Sequence, residues 1–320
     1  MAHRFTFDNA FLHFARTEGP RGFVWKYLIA YGVTALLIAA VGYVLFKPFL
    51  DIWFGVFIDV VQGQSESEME AIFVRRITEI AGWLVFSYIA MIVLGILFWA
   101  VFEAAVQRHY VRDEGFRMRL GGDELRLIVV GLIWFVFMFF CQIATFMAVS
   151  VTTGSIVYAL DNEVAGAITF VAAFAIIGFV WLWLVIRLAP ASAMTVRDRK
   201  IKFFDAWGAS RGRFWSLLGA YIVLAIIIWF AAVITWFVFG TSVMAALMNQ
   251  VAAFESAADN PLALFNLIMT FDVLGPLATA YLGWLLLQGF FIYMWAGPAA
   301  LAAKTDPRGG SITQAPDVFA

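Results

Sequence analysis

Apolar positions along this chain fall into six long, almost unbroken runs, at about 23–46, 80–102, 127–149, 167–186, 214–239 and 274–301, with polar connectors between them. Each run holds about 20 residues or more, the length at which a helix crosses the ~30 Å hydrocarbon core of a bilayer. None alternates at period two, which argues against the strands of a membrane β-barrel. A helix satisfies its own backbone hydrogen bonds, so each run can enter lipid alone. The pattern predicts an all-α fold: an integral membrane bundle of six transmembrane helices, with short amphipathic helices on the cytoplasmic interface.

The connectors add detail. In 48–61 (PFLDIWFGVFIDVV), Phe49, Trp53, Phe57 and Val60–Val61 recur at helical spacing, predicting an amphipathic helix along the outer interface. Residues 62–70 are polar, and Asp259-Asn260-Pro261 predicts a turn, because proline cannot extend a preceding helix. The stretch 307–320 contains Gly309-Gly310 and Pro316 and predicts a flexible tail. No connector exceeds about 30 residues, too few for a separate folded core. Residues 1–306 therefore read as one six-span membrane domain.

Composition agrees: 63% of residues are hydrophobic and 13% charged, with a mean hydropathy of +0.89. The net charge of −1 hides a strong asymmetry. Arg4, Arg16, Arg21 and Lys26 precede the first span. Arg108, Arg112, Arg117, Arg119 and Arg126 lie between the second and third. Arg187, Arg197, Arg199, Lys200, Lys202, Arg211 and Arg213 lie between the fourth and fifth, and Lys304 and Arg308 follow the sixth. The opposite side holds only Lys47, Arg75 and Arg76, with Glu66, Glu68, Glu70, Asp161, Glu163, Glu255 and Asp259. Cationic connectors stay in the cytoplasm, so both termini are expected there, and the expected location is a bacterial inner membrane. Cys141 is the single cysteine and lies within the third span, which excludes an intramolecular disulfide. The first 22 residues include Asp8 and Glu18 and lack a compact apolar core with a small-residue cleavage site, so no cleavable signal is expected.

Three segments echo one another. Ala104-Ala105-Val106 precedes Val111-Arg112-Asp113, Ala189-Pro190-Ala191 precedes Val196-Arg197-Asp198, and Gly297-Pro298-Ala299 precedes Lys304-Thr305-Asp306, all at one offset. A second echo links Phe7-Asp8 and Arg21-Gly22-Phe23-Val24-Trp25 to Phe204-Asp205 and Arg211-Gly212-Arg213-Phe214-Trp215. Two readings stand side by side: a threefold internal repeat of two-span units (1–113, 114–198, 199–306), or coincidence among small and basic residues at membrane edges.

The richest stretch is 186–219, IRLAPASAMTVRDRKIKFFDAWGASRGRFWSLLG. Pro190 can kink or end a helix. Ala189, Ala191, Ser192 and Ala193 allow close helix approach. Arg197, Arg199, Lys200 and Lys202 form a cluster suited to anionic headgroups, beside Phe203, Phe204 and Trp207. The run from Leu188-Ala189-Pro190 through Asp205-Ala206-Trp207 to Arg211-Gly212-Arg213-Phe214-Trp215 and Leu217-Leu218-Gly219 resembles the membrane domain associated with bacterial glycerophosphoryl diester phosphodiesterases and related multi-span families. The resemblance implies a membrane module. The soluble catalytic domain that can follow this module in that family is not in this chain, and phosphodiesterase activity is not implied.

Chemistry-bearing patterns are sparse. His3, His13 and His109 lie outside the apolar runs, and no GxSxG, HExxH or phosphate-cradling glycine loop occurs. Gly121-Gly122-Asp123 predicts a loop and a helix N-cap, and Asp113-Glu114 among arginines predicts a solvated ion pair. No enzyme, cofactor or metal is therefore expected. Within the spans, Gln142 and Gln288 are the embedded polar groups, whose default role is interhelical hydrogen bonding; Asn266 and Asp272 lie near the outer edge. Glu103 and Arg187 sit at the cytoplasmic ends of two spans, where they can pair with each other or face the interface separately.

The expected function is that of a non-catalytic scaffold or lipid-interacting module, with Arg197, Arg199, Lys200, Lys202, Arg211 and Arg213 contacting anionic lipid. The alternative is a small-molecule or lipid transporter with a cavity between the repeats, near Gln142 and Gln288. Expected partners are membrane lipids, a protein or a second copy of the chain, and not nucleic acid.

Overall fold

A computed structural model describes residues 5–61, 66–257, 260, 263, 267, 270–306 and 308. Among them the regular elements are helices: α1 (Phe7–Phe11), α2 (Phe23–Val61), α3 (Glu66–Arg112), α4 (Gly122–Leu160), α5 (Glu163–Leu188), α6 (Ala191–Asp198), α7 (Ala206–Ala209), α8 (Phe214–Asn249), α9 (Val251–Ala257) and α10 (Phe271–Lys304). Among the described residues six helices are long and apolar enough to cross a membrane, one for each apolar run. The chain is an all-α, multi-pass membrane protein.

The helices outrun the apolar stretches that announce them. α2 and α4 have 39 residues each and α3 has 47. At 1.5 Å per residue these are about 58 and 70 Å long, roughly twice the hydrocarbon thickness. Hydropathy marks the middle of each helix, while backbone hydrogen bonding continues into polar sequence. Residues 48–61, expected as a separate interfacial helix, are the C-terminal part of α2, which runs through Pro48. The expected polar connector at 62–70 is partly helical, since α3 begins at Glu66; residues 62–65 lie outside the described residues. So do Asp259 and Pro261 of the expected turn, Asn266, and nearly all of the expected tail.

Local chemistry sets the sharpest turn. Asp161 adopts the left-handed conformation at φ 45°, and the Asn162 side chain then accepts from Val164 N and Ala165 N at 2.9 and 3.1 Å. That cap satisfies two of the orphan donors at the start of α5. Trp181 Nε1 donates to Thr145 Oγ1 at 2.9 Å, tying α5 back onto α4.

Contacts divide the chain into two compact units. The first comprises Met1–Phe23, Ala100–Leu224 and Tyr293–Ala320. Its core lies at helix ends. Ala100, Phe102, Ala104, Ala105 and Val106 of α3, Leu127 and Val130 of α4, Leu217 and Leu224 of α8 and Ala299–Ala303 of α10 are all buried. The middles of α4 and α5 instead expose Phe135, Phe139, Phe146, Ile168 and Phe174, as lipid-facing helices do. The Ala104-Ala105-Val106 triplet of the echo falls inside this core. The N-terminal segment joins it through Tyr293, whose hydroxyl donates to Phe14 O at 3.1 Å.

The second unit comprises Val24–Trp99 and Ala225–Ile292. Glycines set its close approaches. A Cβ on Gly289 would stand 2.9 Å from the Tyr31 ring, and one on Gly32 3.1 Å from Leu286. Small residues let helices in lipid gain dispersion contacts that larger ones would block. At Pro48 the helix loses a donor, and the proline ring crowds the carbonyls of the turn before it. The Leu45 carbonyl in that turn accepts from Trp83 Nε1 at 2.7 Å and Ser87 Oγ at 3.2 Å. α3 thus supplies donors where α2 is irregular.

Candidate functional site

The polar chemistry of the first unit begins where α3 ends and α4 starts. Arg108 and Arg112 occupy the last turns of α3, and Asp123 and Glu124 the first turn of α4. Each charge type sits at the helix end whose dipole favours it. Arg108 Nη1 donates to Glu124 Oε1, and the two side chains are 2% and 0% exposed. Glu124 Oε2 also accepts from Gly121 N at 2.9 Å, capping α4 from within; the cap residue itself is a glycine and has no side chain to return the bond. Asp123 accepts from Arg112 at 2.8 Å, Arg126 at 3.2 Å and Arg119 at 3.3 Å. Of the solvated pair expected at Asp113-Glu114, both acids stay partly exposed; Asp113 pairs with Lys304, and Glu114 joins the edge of this network. Glu114 lies 3.6 Å from Arg112 and 3.7 Å from Arg119.

His109, one turn away, is buried beneath the Phe23 ring, with centroids 3.8 Å apart and planes 9° from parallel. Its Nδ1 is 3.2 Å from the Glu114 carbonyl, which can only accept, so that nitrogen carries a proton. Nε2 faces the Thr17 hydroxyl at 3.5 Å. Among the described residues no three His, Cys, Asp or Glu side chains gather as a metal-ligand set. His109 orients neighbouring segments.

The echoed segments meet in a closed circuit of helix ends. Arg112, at the end of α3, donates to Val196 O in α6. Arg197, at the end of α6, donates to Ala303 O in α10. Lys304, at the end of α10, reaches Asp113 just beyond α3 at 3.0 and 3.1 Å. Each cation lies in the last turn of its helix or reaches the last turn of the next, where unsatisfied carbonyls attract it. Arg213 reinforces the circuit, donating to Ala302 O at 3.0 Å and to Thr305 O and Oγ1 at 2.9 Å. Burial pushes the Arg213 guanidinium below its usual range, with Asp306 acting in the opposite sense.

This circuit sorts the six cations expected to contact lipid. Arg197 is 12% exposed, and besides Ala303 it holds Asp198 at 2.6 Å. Arg197 and Arg213 are thus turned inward as structural anchors, contrary to the sequence reading of the run as one basic patch. Arg199, Lys200 and Arg211 are exposed. Lys202 is intermediate: its ammonium pairs with Asp205 at 2.6 Å, and that carboxylate holds it above the usual lysine range.

The embedded polar candidates are also redistributed. Gln142 and Gln288 are exposed on the surfaces of α4 and α10, rather than buried as hydrogen-bonded partners between helices. Glu103 accepts from Gln107 Nε2 at 2.8 Å, and Arg187 donates to Ser210 O at 3.1 Å, so the two are not partners. The Arg187 guanidinium lies between the rings of Trp183, Trp207 and Phe214, 5.6–5.7 Å from each centroid. This aromatic enclosure compensates a cation at the end of a span through the ring quadrupoles.

The loop 199–205 is fastened at two points. Lys202 N donates to Thr195 Oγ1 at 3.1 Å. Phe203 is buried edge-on against Trp134 and Phe137 of α4, at 5.3 and 6.3 Å. The next residue, Phe204, is left 68% exposed. It closes one side of an open apolar groove of about 650 Å³ along α4, lined by Leu132, Val136, Phe140, Cys141 and Ala144 among others. Linear sequence marks these residues as a span and cannot show that the loop folds over them; the only forward signal is the Phe203-Phe204 pair after a cationic run.

No family model, curated protein or solved structure matches this chain.

Proposed function

We propose that the protein is a non-catalytic membrane module whose basic loop contacts anionic lipid headgroups on the cytoplasmic face. The observation that carries this reading is the exposure of Arg199, Lys200 and Arg211, none of which forms an ion pair among the described residues, next to the exposed aromatics Phe204 and Trp215. A cation near an anionic surface gains about 1 kcal/mol, so three act together without any enclosed pocket. The resemblance of 186–219 to the phosphodiesterase-associated membrane domain suits a membrane module of this kind. The transport alternative requires a cavity at Gln142 and Gln288. The α4 groove includes neither, and both amides face outward, so headgroup contact is the reading with a specific observation behind it.

The test uses the intact protein extracted from bilayers of equal phosphatidylglycerol and phosphatidylcholine. The wild type should retain phosphatidylglycerol in excess. The triple variant R199Q/K200Q/R211Q should lower that enrichment by about five-fold or more, given ~1 kcal/mol per charge. Unchanged enrichment rejects headgroup contact.

A further inference from the structure

Resting on that headgroup reading, we infer that the α4 groove beside Phe204 is a discrete binding site for one anionic glycerophospholipid, its acyl chain along α4 and its phosphate at the loop that carries Arg199, Lys200 and Lys202. The groove's shape points to a chain. Its α4 residues include Leu132, Val136, Phe140 and Ala144, a stripe at i, i+4 spacing that winds gradually round the helix as a continuous track. Twelve residues of helix rise about 18 Å, close to the ~15 Å half-thickness of the hydrocarbon core that one acyl chain crosses. A volume of about 650 Å³ lies in the ~300–1,000 Å³ range of small-ligand sites. The lining is apolar throughout and so offers nothing to a polar solute.

The end of the track specifies the headgroup. Phe203 pins the loop against Trp134 and Phe137, which fixes the lip formed by Phe204. Arg199 and Lys200, within five residues of that lip, are exposed and form no ion pair with a described acid. Lys202 pairs with Asp205, and the two side chains are 34% and 55% exposed. Such a surface pair is worth little, so a phosphate can replace the carboxylate. Free phosphate leaves the groove unfilled, and a zwitterionic lipid brings its own cation to the mouth. An anionic glycerophospholipid satisfies both ends.

The experiment places the full-length protein in phosphatidylcholine nanodiscs doped with phosphatidylglycerol carrying a diazirine on its acyl chain. After irradiation, adducts are mapped by peptide mass spectrometry. Adducts on residues 132–144 and Phe204 should exceed those on the similarly exposed apolar stretch 170–179 of α5 by about five-fold, the expected margin of a charge-assisted site over bulk lipid. The same diazirine chain on phosphatidylcholine should lose that excess, and R199Q/K200Q/K202Q should lose it for phosphatidylglycerol. Ala144→Trp fills the track and should abolish the excess. Phe204→Ala removes an exposed side chain without touching the core, and should reduce it even if the tryptophan variant does not fold. Even labelling of α4 and α5 means annular lipid only; it overturns the site while leaving the retention assay above free to succeed. Concentrated labelling with no headgroup preference overturns the anionic assignment.

Discussion

The Arg108–Glu124 pair is the most consequential side-chain interaction in the first unit, because neither partner reaches solvent. A buried ion pair contributes little net stability, yet removing one member strands the other, at a cost of about 3–5 kcal/mol. Glu124→Gln should therefore lower the apparent Tm in detergent sharply, while R108M/E124L should recover much of the loss. A double variant whose loss equals the sum of the losses of R108M and E124L measured singly would show that the two groups are not coupled. Among the cations of 197–213 the same logic separates anchors from surface groups. Arg197→Gln should destabilise the protein by about 1–3 kcal/mol through loss of its bonds to the Ala303 carbonyl and to Asp198, whereas Arg199→Gln should change it by less than about 0.5 kcal/mol. Parallel thermal melts decide between them. The sequence identifies both as arginines in a basic run. It cannot show which guanidinium turns back toward a helix end, since that depends on a helix more than a hundred residues later. Gln142 and Gln288 are opaque for the same reason: their spans are visible, but the face each presents depends on packing.

At the scale of elements, the six spans are legible because lipid demands a composition that nothing else in the chain has. Their lengths are not. Hydropathy falls at 103–112 (EAAVQRHYVR), but those residues sustain a helix, and α3 keeps its backbone bonds to Arg112. Prolines show how context decides. α5 ends before Pro190 and α6 resumes after it, whereas α10 continues through Pro298. Pro48 inside α2 relies on α3, whose Trp83 and Ser87 donate to the Leu45 carbonyl. W83F/S87A should destabilise the wild type by about 1–3 kcal/mol, the cost of an unsatisfied carbonyl in an apolar medium. In a Pro48→Ala background, with the ring's crowding gone and Phe49 N free to reach the Leu45 carbonyl, the cost should be smaller. A double-mutant cycle measured by thermal melting checks this, and equal costs in both backgrounds would remove proline from the account.

At the scale of the molecule, contacts gather segments far apart in sequence into the first unit. There Tyr293 holds Phe14 and Lys304 holds Asp113. In a cysteine-free C141A background, Arg199→Cys should react with an impermeant maleimide only from the cytoplasmic side, and Glu70→Cys only from the other. Labelling of both from one compartment would overturn the topology. The threefold echo singles out Arg112, Arg197 and Lys304 as a set, because each closes a helix with a cation. That they join one to the next is beyond a linear reading, since each link spans tens to hundreds of residues.

The circuit of helix ends makes biosynthesis order matter. Its first two members emerge early, but the acceptor for Arg197 and the cation for Asp113 belong to α10, 106 and 191 residues later in the chain. A nascent chain halted before residue 303 would lack both the Ala303 carbonyl that Arg197 reaches and the Lys304 ammonium that pairs with Asp113. The final turn of α10 therefore acts as a latch on everything synthesised before it, and loss of a few residues there would expose an otherwise complete bundle to quality-control proteolysis.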